Sequence, residues 1–244
     1  MKNIAIALAL VALGCSGTPK PTPHPPDDTP SCAGACAKIG PDGHCYAIVG
    51  SSGPRRIRMG DDVKAWGMMR GTTCMCFDAQ GKVYCGDGFS DRSGASSLHI
   101  GDLTGGEPSE INWGKEPIDQ IALAGTDRLL IANIVSETYA GRYPDAVVAL
   151  LSVASQNKEW TLTIADLAPG RTAILASAPE EGWALIQTGA LLKVVALRDG
   201  HTIRVLPKQR QEVIAAQWLA AKKRWYIARN PFPGKTGTLE CYSM

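Results

Sequence analysis

The sequence predicts an all-β fold: a small β-propeller of four to five blades, with a β-sandwich as the alternative arrangement of the same strands. From about residue 44 onward, short apolar segments alternate with Gly, Pro, Asn and Asp clusters, and helical periodicity is rare. Several strand groups look alike when stacked, with starts roughly 40–55 residues apart, a spacing expected of blades or arrays. The composition agrees. Of 244 residues, 45% are hydrophobic and 20% charged, with 26 Gly and 16 Pro, which suits one turn-rich globular domain with an appendage. Twenty-five Lys and Arg against 23 Asp and Glu leave a net charge of +2. That is too little for a nucleic-acid binder driven by counterion release, so no nucleic-acid partner is expected.

The appendage comes first. Lys2 precedes an apolar run from Ile4 to Leu13, then Gly14 and Cys15. Ten apolar residues span about 15 Å as a helix, half the hydrocarbon thickness, so residues 1–14 read as a secretory signal peptide rather than a membrane span. Ala12-Leu13-Gly14-Cys15 resembles the lipobox of bacterial lipoproteins. The resemblance implies cleavage before Cys15, acylation of that residue (palmitate among the chains), and anchoring in a membrane. Ser16 in place of Asp implies the outer membrane of the cell envelope. Residues 15–31 then form a tether. Six prolines between Gly17 and Pro30 remove backbone donors, leaving an extended spacer that reaches up to about 40 Å. Residues 32–244 remain for the folded domain.

Seven cysteines follow Cys15: Cys32, Cys36, Cys45, Cys74, Cys76, Cys85 and Cys241. Export makes disulfides their expected state. Seven is odd, so at most three bridges form and one thiol stays free or pairs between molecules. Cys85 with Cys74 or Cys76 fits a hairpin, because Asp78 and Gly81 supply a turn. Cys241 could tie the C-terminus to an N-terminal cysteine and close the fold. Metal readings are weaker. Cys32, Cys36, Cys45 and His44 lack the second paired knuckle of a zinc ribbon. Cys74-Met75-Cys76, with Met68 and Met69 nearby, offers soft ligands for Cu(I) or a redox pair. Structural bridges are expected, with no metal and no cofactor.

The stacked segments are Val63 to Cys85, Ile118 to Leu151, Thr172 to Leu197, and Val213 to Tyr242, each read as three strands joined by polar turns. In the first, Gly71-Thr72-Thr73-Cys74 is followed by Asp78-Ala79-Gln80-Gly81-Lys82-Val83-Tyr84-Cys85-Gly86. This is similar to the bacterial form of the regulator-of-chromosome-condensation (RCC1-like) repeat, in which a Gly-His-Thr-Cys-Ala-Leu strand turns at Asp-Gly and returns as Val-Tyr-Cys-Trp-Gly. Gln120-Ile121-Ala122 and Thr238-Leu239-Glu240-Cys241-Tyr242 repeat parts of the pattern. No His precedes Cys74, Gly86 replaces the Trp, and later units lack the paired Cys, so the repeat is degenerate. The resemblance implies a propeller. Trp66, Trp183, Trp218 and Trp225 would then pack between blades. A hairpin over residues 44–59 would pair with the C-terminal strand to cover open edges.

No residue set nominates a catalytic centre. Gly234-Lys235-Thr236 lacks the phosphate loop's first Gly, since Arg229 stands there. Asp87-Gly88-Phe89-Ser90-Asp91 lacks calcium-loop spacing and reads as a turn. His24, His44, His99 and His201 are scattered. Glu180 and Glu181, read as strand neighbours, face opposite sides. Arg55-Arg56 with Arg58, and Lys222-Lys223-Arg224, read as solvated loops. The expected function is therefore non-enzymatic: a binding or scaffold module for a protein or polysaccharide. A hydrolase or lyase, and a thiol-redox or copper-binding protein, are the rival classes. Ionisable groups converging in a central cleft would favour an enzyme, and an apolar, filled channel would argue against one.

Overall fold

The computed structural model describes residues 37–39, 41, 45–49, 56–59, 62–64, 72–87, 96–103, 107–133, 146–164, 173–189, 191–207, 213–230 and 237–244. Side chains are described from residue 72 onward apart from Ile214, together with those of Pro41, Tyr46 and Ile48. The chain divides into two units, Met1–Pro30 and Ser31–Met244. The signal peptide, the lipobox with Cys15, and the tether lie outside the described residues. So do Cys32, Cys36, His24, His44, Trp66, Met68, Met69, Gly88 to Asp91, and Gly234 to Thr236.

The described residues hold no α-helix, only strands and two 3₁₀ turns, Pro179–Glu181 and Ala220–Lys222. The strands form five separate antiparallel sheets rather than two facing layers, each a meander of consecutive strands. The first sheet holds β1 (Ala37–Ile39), β2 (Cys45–Val49), β3 (Arg56–Met59) and β4 (Asp62–Lys64). The second holds β5 (Thr72–Phe77), β6 (Lys82–Asp87), β7 (Ser96–Asp102) and β8 (Ser109–Gly114). The third holds β9 (Gln120–Leu123), β10 (Arg128–Asn133), β11 (Ala146–Ser152) and β12 (Asn157–Ile164). The fourth runs through β13 (Ile174–Ala178), β14 (Trp183–Thr188), β15 (Leu191–Ala196) and β16 (Thr202–Leu206). The fifth has three strands, β17 (Val213–Leu219), β18 (Arg224–Arg229) and β19 (Thr238–Ser243).

Why these residues make strands is clearest in the second strand of each sheet. β10 alternates between two cores: Leu129 and Ile131 join one cluster with Tyr84 and Leu98, while Leu130 and Ala132 join another with Ala184 and Ile186. A strand covered on both faces reads as an unbroken apolar run, as parallel-sheet strands do for the same reason. β6 divides likewise, with Val83 and Cys85 on one side and Tyr84 on the other. In β14, Leu185 packs toward Trp225, and Ala184 and Ile186 pack toward Leu130. Each interior sheet is thus the filling between its neighbours. The first strands lie side by side: β1 and β2 against β5, β5 against β9, β9 against β13, and β13 against β17.

Two expectations are corrected by the pairing. The hairpin expected within residues 44–59 forms as β2 and β3, but β1 and β4 already occupy its edges, so it does not pair with the C-terminal strand. Glu180 and Glu181 sit in a 3₁₀ turn that follows β13, because Pro179 at its start supplies the fixed φ of a turn. Three tryptophans of the expected packing set do meet between the fourth and fifth sheets. Trp218 lies 5.3 Å from both Trp183 and Trp225, edge-on to the former.

A candidate binding cleft along the first strands

The second sheet is tied to the third, and the third to the fourth, at the start of a first strand. The Ile118 carbonyl, just before β9, accepts from the Thr73 hydroxyl at 2.9 Å and the Cys74 thiol at 3.4 Å. The Ile118 amide donates to the Asp87 carbonyl. One junction later, the Gln120 side-chain oxygen accepts from the Ala173 and Ile174 amides, both at 2.9 Å. These links fix the spacing between β5, β9 and β13.

Along the ends of those three strands runs a cleft of about 430 Å³. Phe77 of β5, Leu123 of β9 and Leu175 of β13 line it, all half-buried, with Cys76 and Ile121 beneath. A β-bulge between Ile174 and Ala176 leaves Leu175 unpaired, the usual way a sheet re-aims one side chain. Glu180, from the following turn, is the carboxylate at its rim. The rest of the lining is apolar or small.

A second cleft, about 460 Å³, opens between the third and fourth sheets and is lined by Arg128, Glu181, Arg198 and His201. Three of these four side chains have charged partners. Arg128 forks onto Glu159, which raises the guanidinium further above its ordinary range. Asp199 accepts from Arg198 and from His201, whose hydrogen bonds hold the carboxyl below its usual range. Glu180 thus lines the first cleft and Glu181 the second, from a turn rather than from the strand alternation expected of them.

A third polar group lies on the face of the second sheet that carries Met75 and Cys85. Asp87 accepts from His99 Nε2 at 3.1 Å and from the Thr72 hydroxyl at 3.4 Å. Burial opposes charge on His99, but the hydrogen bond and field of Asp87, with Glu110 behind, outweigh it and raise the imidazole's pKa. Ser97, two residues before His99 on β7, donates its hydroxyl to Glu110. Residue types of a hydrolytic triad meet here without the nucleophile-to-base hydrogen bond that chemistry needs. Sequence reading passed over this pair because Asp87 and His99 become neighbours only through the β6–β7 register.

The cysteines are placed by strand alternation. Met75 pairs with Cys85 and Cys76 with Tyr84, so Cys74 and Cys76 face one side of the sheet while Met75 and Cys85 face the other. The expected hairpin bridge from Cys85 to Cys74 or Cys76 therefore does not form; no disulfide joins Cys74, Cys76, Cys85 and Cys241 to one another. The same alternation stops Cys74-Met75-Cys76 from converging on one copper ion. Among the described residues no group of three His, Cys, Asp or Glu side chains is disposed to hold a metal. Cys45 lies on β2 opposite Ile39. Lys222 and Lys223 are exposed in the 3₁₀ turn and its end, but Arg224 opens β18, and Arg56 and Arg58 lie on β3 rather than in the loop expected of them.

No family model matches this chain. No curated protein matches it either. Solved structures do resemble its fold. The computationally designed Ika4 protein is 12% identical, with a TM-score of 0.52 over 76% of this chain and 99% of that one. The computationally designed Ika8 protein is 10% identical, with a TM-score of 0.54 over 82% of this chain and 55% of its own. Hydrazine synthase from Kuenenia stuttgartiensis is 11% identical, with a TM-score of 0.58 over 84% of this chain and 60% of that one. The chain thus spans little more than half of the last two. At such identities the likeness is one of fold: an all-β chain of successive antiparallel sheets.

Proposed function

We propose that this chain is a lipid-anchored envelope protein whose β domain is a small propeller, acting as a non-enzymatic binding module for a protein partner. The observation that carries this reading is the cleft along β5, β9 and β13, where Phe77, Leu123 and Leu175 stand half-exposed and one carboxylate sits at the rim. A pocket that binds presents apolar surface with a few orienting polar groups, whereas one that catalyses gathers ionisable groups with perturbed protonation. This cleft joins apolar side chains to polar surface and a single carboxylate, which is nearer the first kind. It suits apolar side chains of a protein better than the hydroxyl-rich surface of a polysaccharide.

The propeller is supported by five consecutive meanders whose first strands lie side by side. A lone small sheet cannot bury both faces, and stacking neighbours is the remedy. The anchor is supported by Ala12-Leu13-Gly14-Cys15 and by the proline-rich residues after it, which would hold the domain clear of the outer membrane. An experiment with two arms tests the reading. Radiolabelled palmitate enters the wild-type protein and not Cys15→Ser. Anilinonaphthalene sulfonate, an apolar fluorophore, brightens with the native protein and loses most of that signal in Leu175→Asp at unchanged circular dichroism. Equal labelling of both proteins removes the anchor, and equal fluorescence of both removes the cleft.

A further inference from the structure

The second cleft, between the third and fourth sheets, is built on the turn that joins β15 to β16. In that turn the Gly200 amide donates to the Ala196 carbonyl and the Ala196 amide to the His201 carbonyl, both at 2.9 Å. Gly200 takes a φ of 73°, and a Cβ there would stand 2.9 Å from the Trp160 ring of β12. The Trp160 indole N–H donates to the Leu197 carbonyl at 2.8 Å, while the Leu197 amide donates to the Gly182 carbonyl, beside Trp183. The turn is thus clamped to the third sheet on one side and to the start of β14 on the other.

This clamped turn carries polar groups in fixed positions. One Asp199 oxygen accepts from Arg198 Nε at 3.1 Å, and the other accepts from the His201 amide at 3.1 Å and from the His201 ring. Across the cleft Arg128 gives Nε and Nη2 to Glu159. Each guanidinium has N–H groups beyond those bonds, and each carboxylate has further lone pairs. Glu181 adds a third carboxylate from the turn before β14. Whatever the charge on His201, these carboxylates offset the cations, so the groups offer no net attraction to an anion. Between them lies apolar surface: Trp183, half-buried, and Ile203, 42% exposed, above buried Ala124 and Leu197.

We propose that this cleft binds a neutral saccharide. A sugar ring has C–H groups on its faces and hydroxyls around its rim. The C–H faces suit the indole of Trp183 and the side chain of Ile203. Each hydroxyl both donates and accepts, which matches a site where guanidiniums and carboxylates stand fixed side by side. Because those pairs form before a ligand arrives, binding leaves little side-chain freedom to be lost. Apart from Pro179, the lining is separate from that of the apolar cleft on β5, β9 and β13.

The test applies the mature protein in detergent to an array of neutral hexose and N-acetylhexosamine oligosaccharides beside uronate and sulfated ones. At least one neutral glycan is expected to retain the protein, with the same affinity at low and high salt, since no ion pair forms with the ligand. The Arg198 side chain is 79% exposed, so Arg198→Ala keeps the fold. It weakens retention about tenfold or more, the loss expected of one hydrogen bond to a charged group. Trp183→Ala weakens it as well, at a position where the fold must be checked by circular dichroism. Retention of no neutral glycan, retention of uronate or sulfated glycans alone, or binding that Arg198→Ala leaves unchanged would overturn the inference.

Discussion

Gly86 shows how one atom can decide a contact between sheets. A Cβ there would lie 2.3 Å from Ile118 Cγ2 and 3.0 Å from Cys74 Sγ. A larger side chain there has no room, because Ile118 from the next sheet fills the space. Gly86→Ala should cost about 1–3 kcal/mol by overpacking, read as a lowered denaturation midpoint at unchanged slope. The neighbouring turn was legible in sequence. Asp78 accepts the Gln80 and Lys82 amides at 3.0 and 2.8 Å, and Gly81 takes a φ of 87°. Burial, then Asp78, push the Tyr84 phenol far above its ordinary range. His99 was not legible as a partner of Asp87, since twelve residues separate them. Its raised pKa makes the pair a source of stability that is complete below the ordinary histidine value. That stability fades as pH rises through the higher folded value. His99→Gln should therefore lower the melting temperature more at pH 6 than at pH 9, and a difference independent of pH would contradict the charged pair.

Elements repeat this lesson at larger size. The starts expected at Ile118, Thr172 and Val213 fall within two residues of β9, β13 and β17. Val63, the expected start of the first repeat, belongs instead to β4 of the preceding sheet. Second strands were legible because both faces are covered. The outer strands β8, β12 and β16 were not. Their side chains are mostly polar or exposed, as in Asn-Lys-Glu-Trp-Thr-Leu-Thr-Ile of β12, so nothing in periodicity separates them from loops. Tertiary pairing makes them strands, each added through a bulge. The tryptophan contact between the fourth and fifth sheets belongs to the same scale. Trp225 is fully buried among Leu185, Val194 and Ile227. Trp225→Ala should cost about 3–5 kcal/mol, and thermal unfolding in which the fifth sheet melts before the rest is the expected signature.

For the whole molecule, the all-β class and the repeat spacing were readable because they follow from short-range pattern. The cleft was not, since Phe77, Leu123 and Leu175 are assembled from three sheets. The cysteine pairing went astray for a related reason: proximity in the hairpin suggested a bridge, and face parity forbids it. The assembled cleft is proposed to receive a protein partner, and a benzophenone side chain at position 175, activated by light in living cells, tests this. A discrete adduct with one envelope protein is expected, abolished by Leu123→Asp and absent when the probe sits at Val205 on an outer strand. Adducts of equal yield at positions 175 and 205, or an adduct at 175 that Leu123→Asp leaves intact, would contradict it.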